Sequence, residues 1–303
     1  MGIYVYRGAV FDESESCEDM IGTKEHNDWD MAVFSTGRCD SAVVFRPVRG
    51  SVSSFDGDEV HVWRLALDGD DSRARRCLEI LSKDELVKSE NFRFKRDRDR
   101  FVVCRGALRE ILAPYLDLLP KEIEFSYNPQ GKPFLTAGAE AVGLKFNVSH
   151  SEGFALVGVT LAGEIGVDLE HIRHDIEYEQ IAERFFSYNE AESLRELHPS
   201  EQARVFFACW TRKEAYVKAC GGGLSITLDR FEVSLTPDQG PVRFSSYDDE
   251  NESSRWSLQS FVPWPDCMAA LCVGATKARG NYSLQACKPV SGLAVLRPTA
   301  RKT

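Results

Sequence analysis

No run of apolar residues in this 303-residue chain approaches the ~20 needed for a helix to cross a bilayer, so no membrane partner is expected. No secretory leader is expected either. Asp12, Glu13, Glu15, Glu18 and Asp19 stand where a basic region followed by an apolar core would be required. The nine cysteines are odd in number and never fall at a Cys-x-x-Cys spacing, which indicates neither a zinc site nor a disulfide framework. They suit a reducing compartment, and a soluble cytoplasmic protein is the expectation. Positive charge is in deficit: 37 Lys and Arg against 47 Asp and Glu leave a net charge of -10, which argues against general binding of nucleic acid. The one local exception is Arg93 to Arg100, where five basic side chains concentrate as a small polyanionic ligand requires. A solvated helix with internal ion pairs accounts for most of them.

What is present divides the chain into four parts. Residues 1–58 show no persistent period and read as an N-terminal extension. From Glu59 an apolar strand opens a first lobe over 59–163, and Ser82 with Glu85 reads as a capping box for a following helix. Val102, Leu108, Ile111 and Leu112 predict a helix over 101–112 that stops before Pro114. Strands are expected at 123–125, 145–148, 154–159 and 165–169, joined by short turns into an antiparallel meander whose last strand carries Asp168 and Glu170. The second lobe spans 164–276. It is predicted to hold a helix over 178–197, a helix capped by Ser200 and running to about Cys220, a stop at Gly221 to Gly223, and strands at 231–235, 256–261 and 268–273. A basic, weakly patterned tail occupies 277–303. The fold class is α+β, with helices followed by antiparallel strands in each lobe.

Two motifs carry the chemistry. In Gly166-Val-Asp-Leu-Glu170 the two carboxylates lie two apart on a strand, on one face and ~7 Å from each other, so both can meet one cation. In Trp210-Thr-Arg-Lys-Glu-Ala-Tyr-Val-Lys218, Glu214 and Lys218 lie four apart on one helix face. Each motif alone also fits a plain reading, a solvated strand end or a surface ion pair. Oxygen ligands without nearby Cys or His in ligand spacing suit magnesium rather than zinc. Trp210, among Val205, Phe206 and Phe207, reads as core; Lys213 is left open between covering phosphates and reaching solvent. His171 and His174 lack a second ligand pair and are expected at the surface. Ser149 and His150 are adjacent on a strand and project to opposite faces, which excludes a direct nucleophile–base pair.

In this order, with Phe92-Arg-Phe-Lys95, Arg100, Gly131-Lys-Pro133, Phe146-Asn-Val-Ser-His150, Phe185-Phe-Ser187 and Gly221-Gly-Gly-Leu-Ser225, the motifs resemble the 4'-phosphopantetheinyl transferases of the two-lobed surfactin-synthetase-activating type. The resemblance covers residues 59 to 276. It implies two similar lobes related by a pseudo-twofold, each with helices packed on a small antiparallel sheet, in a monomer that supplies both lobes. It further implies transfer of the 4'-phosphopantetheine arm of coenzyme A to a serine of an apo acyl or peptidyl carrier protein, with release of 3',5'-ADP. Asp168, Glu170 and Glu214 would hold Mg2+ against the coenzyme A pyrophosphate. Glu214, or a water it orients, would be the base, and Lys218 would neutralise the leaving group. Lys88, Arg100, Lys132, Ser149 and His150 match the family's coenzyme A contacts. Where the family carries a lysine three residues before Lys88, this chain has Glu85, which weakens the expected 3'-phosphate pocket. Two other readings remain: a magnesium-dependent phosphodiesterase or pyrophosphatase using the same carboxylates on water, and a non-catalytic module that binds carrier proteins.

Overall fold

The computed structural model describes residues 30–36, 46–47, 59–136, 143–235, 240–274 and 282–285. Most of the N-terminal extension and of the tail beyond 276 lies outside them. Every strand pairing is antiparallel. The first sheet contains β1 (Asp30–Thr36), β3 (Glu59–Ala66), β7 (Phe154–Thr160) and β6 (Lys145–Ser151) in that order, with β2 (Arg46–Pro47) and β14 (Tyr282–Gln285) both pairing with β1. Segments of the extension and of the tail thus enlarge the first sheet, a contribution their sequence did not signal. The second sheet runs β10 (Gly240–Pro241), β12 (Trp256–Phe261), β13 (Cys267–Gly274), β8 (Ile165–His171). Two short pairs, β4 (Phe125–Tyr127) with β5 (Pro133–Leu135) and β9 (Phe231–Val233) with β11 (Phe244–Ser246), complete the strands among the described residues.

Of the four-strand meander expected from sequence only β6 and β7 pair: the strand expected at 123–125 forms as β4 and pairs with β5 alone, and the last strand leaves the sheet. β7 is flanked by β3 and β6, so neither edge is free for β8, which crosses instead to the second sheet and pairs with β13. Period-2 alternation decides where its side chains go. Ile165, Val167 and Leu169 enter a core shared with Val60, Val62 and Leu156 of the first sheet and Phe261 and Leu271 of the second, which joins the two lobes. Gly166, Asp168 and Glu170 point to the other face.

Helices cover the outer side of each sheet. In the first lobe Asp71–Leu78, Lys83–Glu90 and Lys95–Leu116 pack on a core that includes Trp63, Leu65, Ala107, Leu108, Ile111 and Phe146. The last of these helices is longer than predicted and passes through Pro114 in its final turn, where a missing N–H removes a single bond. In the second lobe the stretch predicted as one helix over 178–197 breaks into Tyr178–Phe185 and Tyr188–Arg195, because Ser187 turns extended and caps the latter, with Glu190 reaching back to the Ser187 N–H at 2.9 Å. The Pro199–Cys220 helix is capped by His198 rather than Ser200, with Pro199 in the first turn, and it ends at Gly221 in the left-handed conformation (φ 70°).

Candidate active site at the meeting of a strand and a helix

Gly166 allows the site to form. A Cβ at this position would lie 2.0 Å from the Ala215 carbonyl oxygen and 2.4 Å from the Ala219 nitrogen, so only glycine lets the Pro199–Cys220 helix settle directly on β8. At that approach Asp168 and Glu170 of the strand face Glu214 and Lys218 of the helix. Lys218 forms an ion pair with Asp168 Oδ1 and donates to Ser149 Oγ at 3.0 Å. Ser149 Oγ in turn donates to Asp168 Oδ1 at 3.0 Å, and Ser151 Oγ donates to Glu170 Oε2 at 2.9 Å. The strand pair and the helix pair are one constellation, and the plain readings as solvated strand end and surface ion pair do not hold.

Electrostatically the site is short of positive charge. Burial pushes Glu170 up to about 7, helped by the Asp168 charge; burial and Asp168 likewise push Glu214 up to about 7. Asp168 is raised by burial against the opposing pull of Lys218. Burial alone would lower Lys218, but Asp168 and Glu214 outweigh it and hold its pKa above the ordinary lysine value. One lysine serves three carboxyls. Asp168 Oδ2 is buried and accepts no hydrogen bond, an orphan acceptor of the kind a bound cation satisfies. Among the described residues no three His, Cys, Asp or Glu side chains are gathered to metal-ligand spacing.

The residues matched to coenzyme A contacts divide. Lys88 lies over the Phe101 ring at 5.6 Å and faces solvent. His150 points away from Ser149 and keeps part of its surface in solvent; desolvation of the rest of the ring, then the Lys218 and Lys88 charges, hold its pKa below the usual histidine value. Arg100 lines an open cavity of about 490 Å³ together with Asp68, Glu152, His171 and Arg173, and forms a two-point ion pair with Asp68 at 2.6 and 2.7 Å. Asp68 and Arg173 had no signal in the sequence. Lys132 and Ser149 are bonded within the protein: the Lys132 ammonium donates to the carbonyls of Ile165 (3.1 Å) and Lys218 (2.6 Å), and the Ser149 hydroxyl is committed to Asp168, Lys218 and the Leu169 N–H.

Glu85 also turns inward. It is buried and bonds Arg105 and Arg109, each at 2.7 Å, so it places no carboxylate beside Lys88. Lys213 neither covers phosphates nor reaches solvent: fully buried, it pairs with Glu190 at 2.7 Å and donates to the Leu228 and Phe231 carbonyls. Trp210 packs among Phe185, Phe186 and Phe206, as expected. His174 is exposed, while His171 is half-buried in the cavity wall.

A two-lobed α+β protein with acids on a strand facing a Glu–Lys helix defines a class, and comparison with known proteins agrees. Residues 164–286 match the 4'-phosphopantetheinyl transferase superfamily and residues 70–164 match the N-terminal 4'-phosphopantetheinyl transferase family. The 4'-phosphopantetheinyl transferase HetI of a Nostoc species is 40% identical over 216 residues, 71% of this chain and 88% of the relative. The 4'-phosphopantetheinyl transferase psf-1 of Bacillus pumilus is 30% identical over 225 residues, 72% of this chain and 91% of the relative. Sfp of Bacillus subtilis is 32% identical over 163 residues, 54% of this chain and 70% of the relative. The chain belongs to the 4'-phosphopantetheinyl transferase superfamily and is an enzyme of that type.

Proposed function

We propose that the protein transfers the 4'-phosphopantetheine arm of coenzyme A to a serine hydroxyl of an apo carrier protein, releasing 3',5'-ADP, and that Asp168, Glu170 and Glu214 hold a magnesium ion for the reaction. The observation that carries the reading is the excess of carboxyl over cation, one acid buried and two half-buried, with Asp168 Oδ2 left without a partner. An all-oxygen donor set fits a hard divalent ion. Magnesium, when bound, would neutralise charge on the pyrophosphate oxygens.

The chain's own residues divide the remaining work. Lys218, paired with Asp168, would neutralise charge on the departing 3',5'-ADP. Glu214, beside the proposed metal, would take the proton of the attacking serine itself or orient a water that does. Lys88 and His150 offer donors to a phosphate on the solvent side of the site, and Arg100 joins them by exchanging Asp68 for a phosphate group. One chain supplies both lobes, which suits a monomer. Transfer to a carrier, rather than hydrolysis, is favoured by the family membership. Calorimetric titration of Mg2+ together with a transfer assay tests the metal: Asp168→Ala should lose measurable Mg2+ binding and transfer while retaining the fold. Unchanged binding and turnover would remove the carboxylates from the chemistry.

A further inference from the structure

The edge strands of the two sheets lie side by side without a backbone ladder. β6 pairs with β7 and β8 with β13. The inner edge of β8 nevertheless finds partners, because side chains of β6 take the place of a strand. Asn147 Oδ1 accepts from the Val167 N–H at 2.8 Å, Ser149 Oγ from the Leu169 N–H at 3.2 Å, and Ser151 Oγ from the His171 N–H at 3.1 Å. Each rung advances by two residues on both strands, with a constant separation of 20 in sequence. Lys132 extends the row by holding the Ile165 carbonyl. The first lobe therefore fixes the register of the strand that bears the acids.

Two of the rungs continue to a carboxylate. A hydroxyl has one donor and two acceptor sites. Ser149 uses all of them, accepting from Leu169 and Lys218 and donating to Asp168 Oδ1. Ser151 accepts from His171 and donates to Glu170 Oε2. With Oδ1 bound by both Ser149 and Lys218, the free Oδ2 of Asp168 is held in one direction. Asn147 reaches backbone alone, so the same seam contains its own control.

We propose that Ser149 and Ser151 are positioning residues: the side-chain ladder between the lobes orients Asp168 and Glu170 to present their remaining oxygens to a divalent cation. This rests on the metal reading above. Groups that orient metal ligands typically contribute ~10- to 100-fold in affinity. Titration of the full chain with MgCl2 and with MnCl2, without coenzyme A or carrier, should show Ser151→Ala binding at least ~10-fold more weakly than wild type. Ser151→Thr, which keeps the hydroxyl, should restore affinity to within about threefold of wild type. Ser151→Cys, which keeps the shape with a weaker donor, should fall between them and serves if the alanine variant does not fold. Asn147→Ala should lower the melting temperature and leave the affinity within about twofold of wild type. Wild-type affinity in Ser151→Ala, no rescue by threonine, or an equal loss in Asn147→Ala would overturn the proposal while leaving the metal in place. If the wild type itself takes up neither ion, the metal reading fails first and the positioning role falls with it.

Discussion

Glu170 and Glu214 place an unusual demand on the metal-free protein, because two carboxyls raised from an ordinary 4.5 to about 7 share a site with buried Asp168. The sign of the linkage follows from those directions. An acid whose pKa is higher in the folded protein than in the unfolded chain binds more protons when folded between the two values, so stability contributed by the proton is present below about 4.5 and is lost as the pH rises through about 7. The metal-free protein should therefore lose melting temperature between those limits relative to a Glu170→Gln, Glu214→Gln double variant. Saturating magnesium should flatten the wild-type profile. Parallel profiles for wild type and variant in chelator, recorded by calorimetry, would show that these two groups do not carry the raised values. Residue by residue, the gathering of the acids and the lysine at one place was legible because they follow the periods of strand and helix. Ser149 and Lys132 were not, since a motif match identifies a position but does not say whether its donor faces ligand or backbone.

At the scale of elements, the Pro199–Cys220 helix and β8 act as a unit whose closeness depends on Gly166. Gly166→Ala would set a methyl against the backbone of Ala215 and Ala219, atoms that cannot swing aside as a side-chain end does. Overpacking of this kind typically costs ~1 to 3 kcal/mol. The variant should melt lower by that measure and bind Mg2+ more weakly, because the helix must lift Glu214 and Lys218 away from the strand. A variant with wild-type melting and binding would mean that the helix position is not set there. The buried Lys213–Glu190 pair holds the same helix from its other side, and satisfies carbonyls at 228 and 231 that a helix face alone would leave bare. Most elements could be read from period and caps: β3, β12, the helix from Lys83 and the stop at Gly221 stand close to where their residues put them. The path of β8 could not. Its alternation specifies a strand with two faces, but which sheet it joins depends on β3 already occupying the edge of β7.

For the whole molecule, the seam between the lobes is what makes one site from two halves. The core of Val60, Val62, Leu156, Val167 and Leu169 supplies its apolar part, and the β6 side chains with Lys132 its polar part. Lys132 is desolvated, which lowers its pKa, and it ties the hairpin of β4 and β5 to the end of the lysine helix. β1 and β14 bring segments about 250 residues apart together in the first sheet, a long-range pairing that local pattern cannot reveal. Among the described residues no helix is long and apolar enough to cross a membrane. The central claim is that this arrangement moves a phosphopantetheine arm from coenzyme A to a carrier serine. Its most direct test is intact-protein mass spectrometry of an apo carrier protein after incubation with the enzyme, coenzyme A and Mg2+. The account predicts a carrier heavier by one phosphopantetheine, lost when its acceptor serine is changed to alanine and when Asp168→Ala replaces the wild-type enzyme. An unmodified carrier, with 3',5'-ADP appearing whether or not a carrier is present, would contradict it and leave a hydrolase in its place.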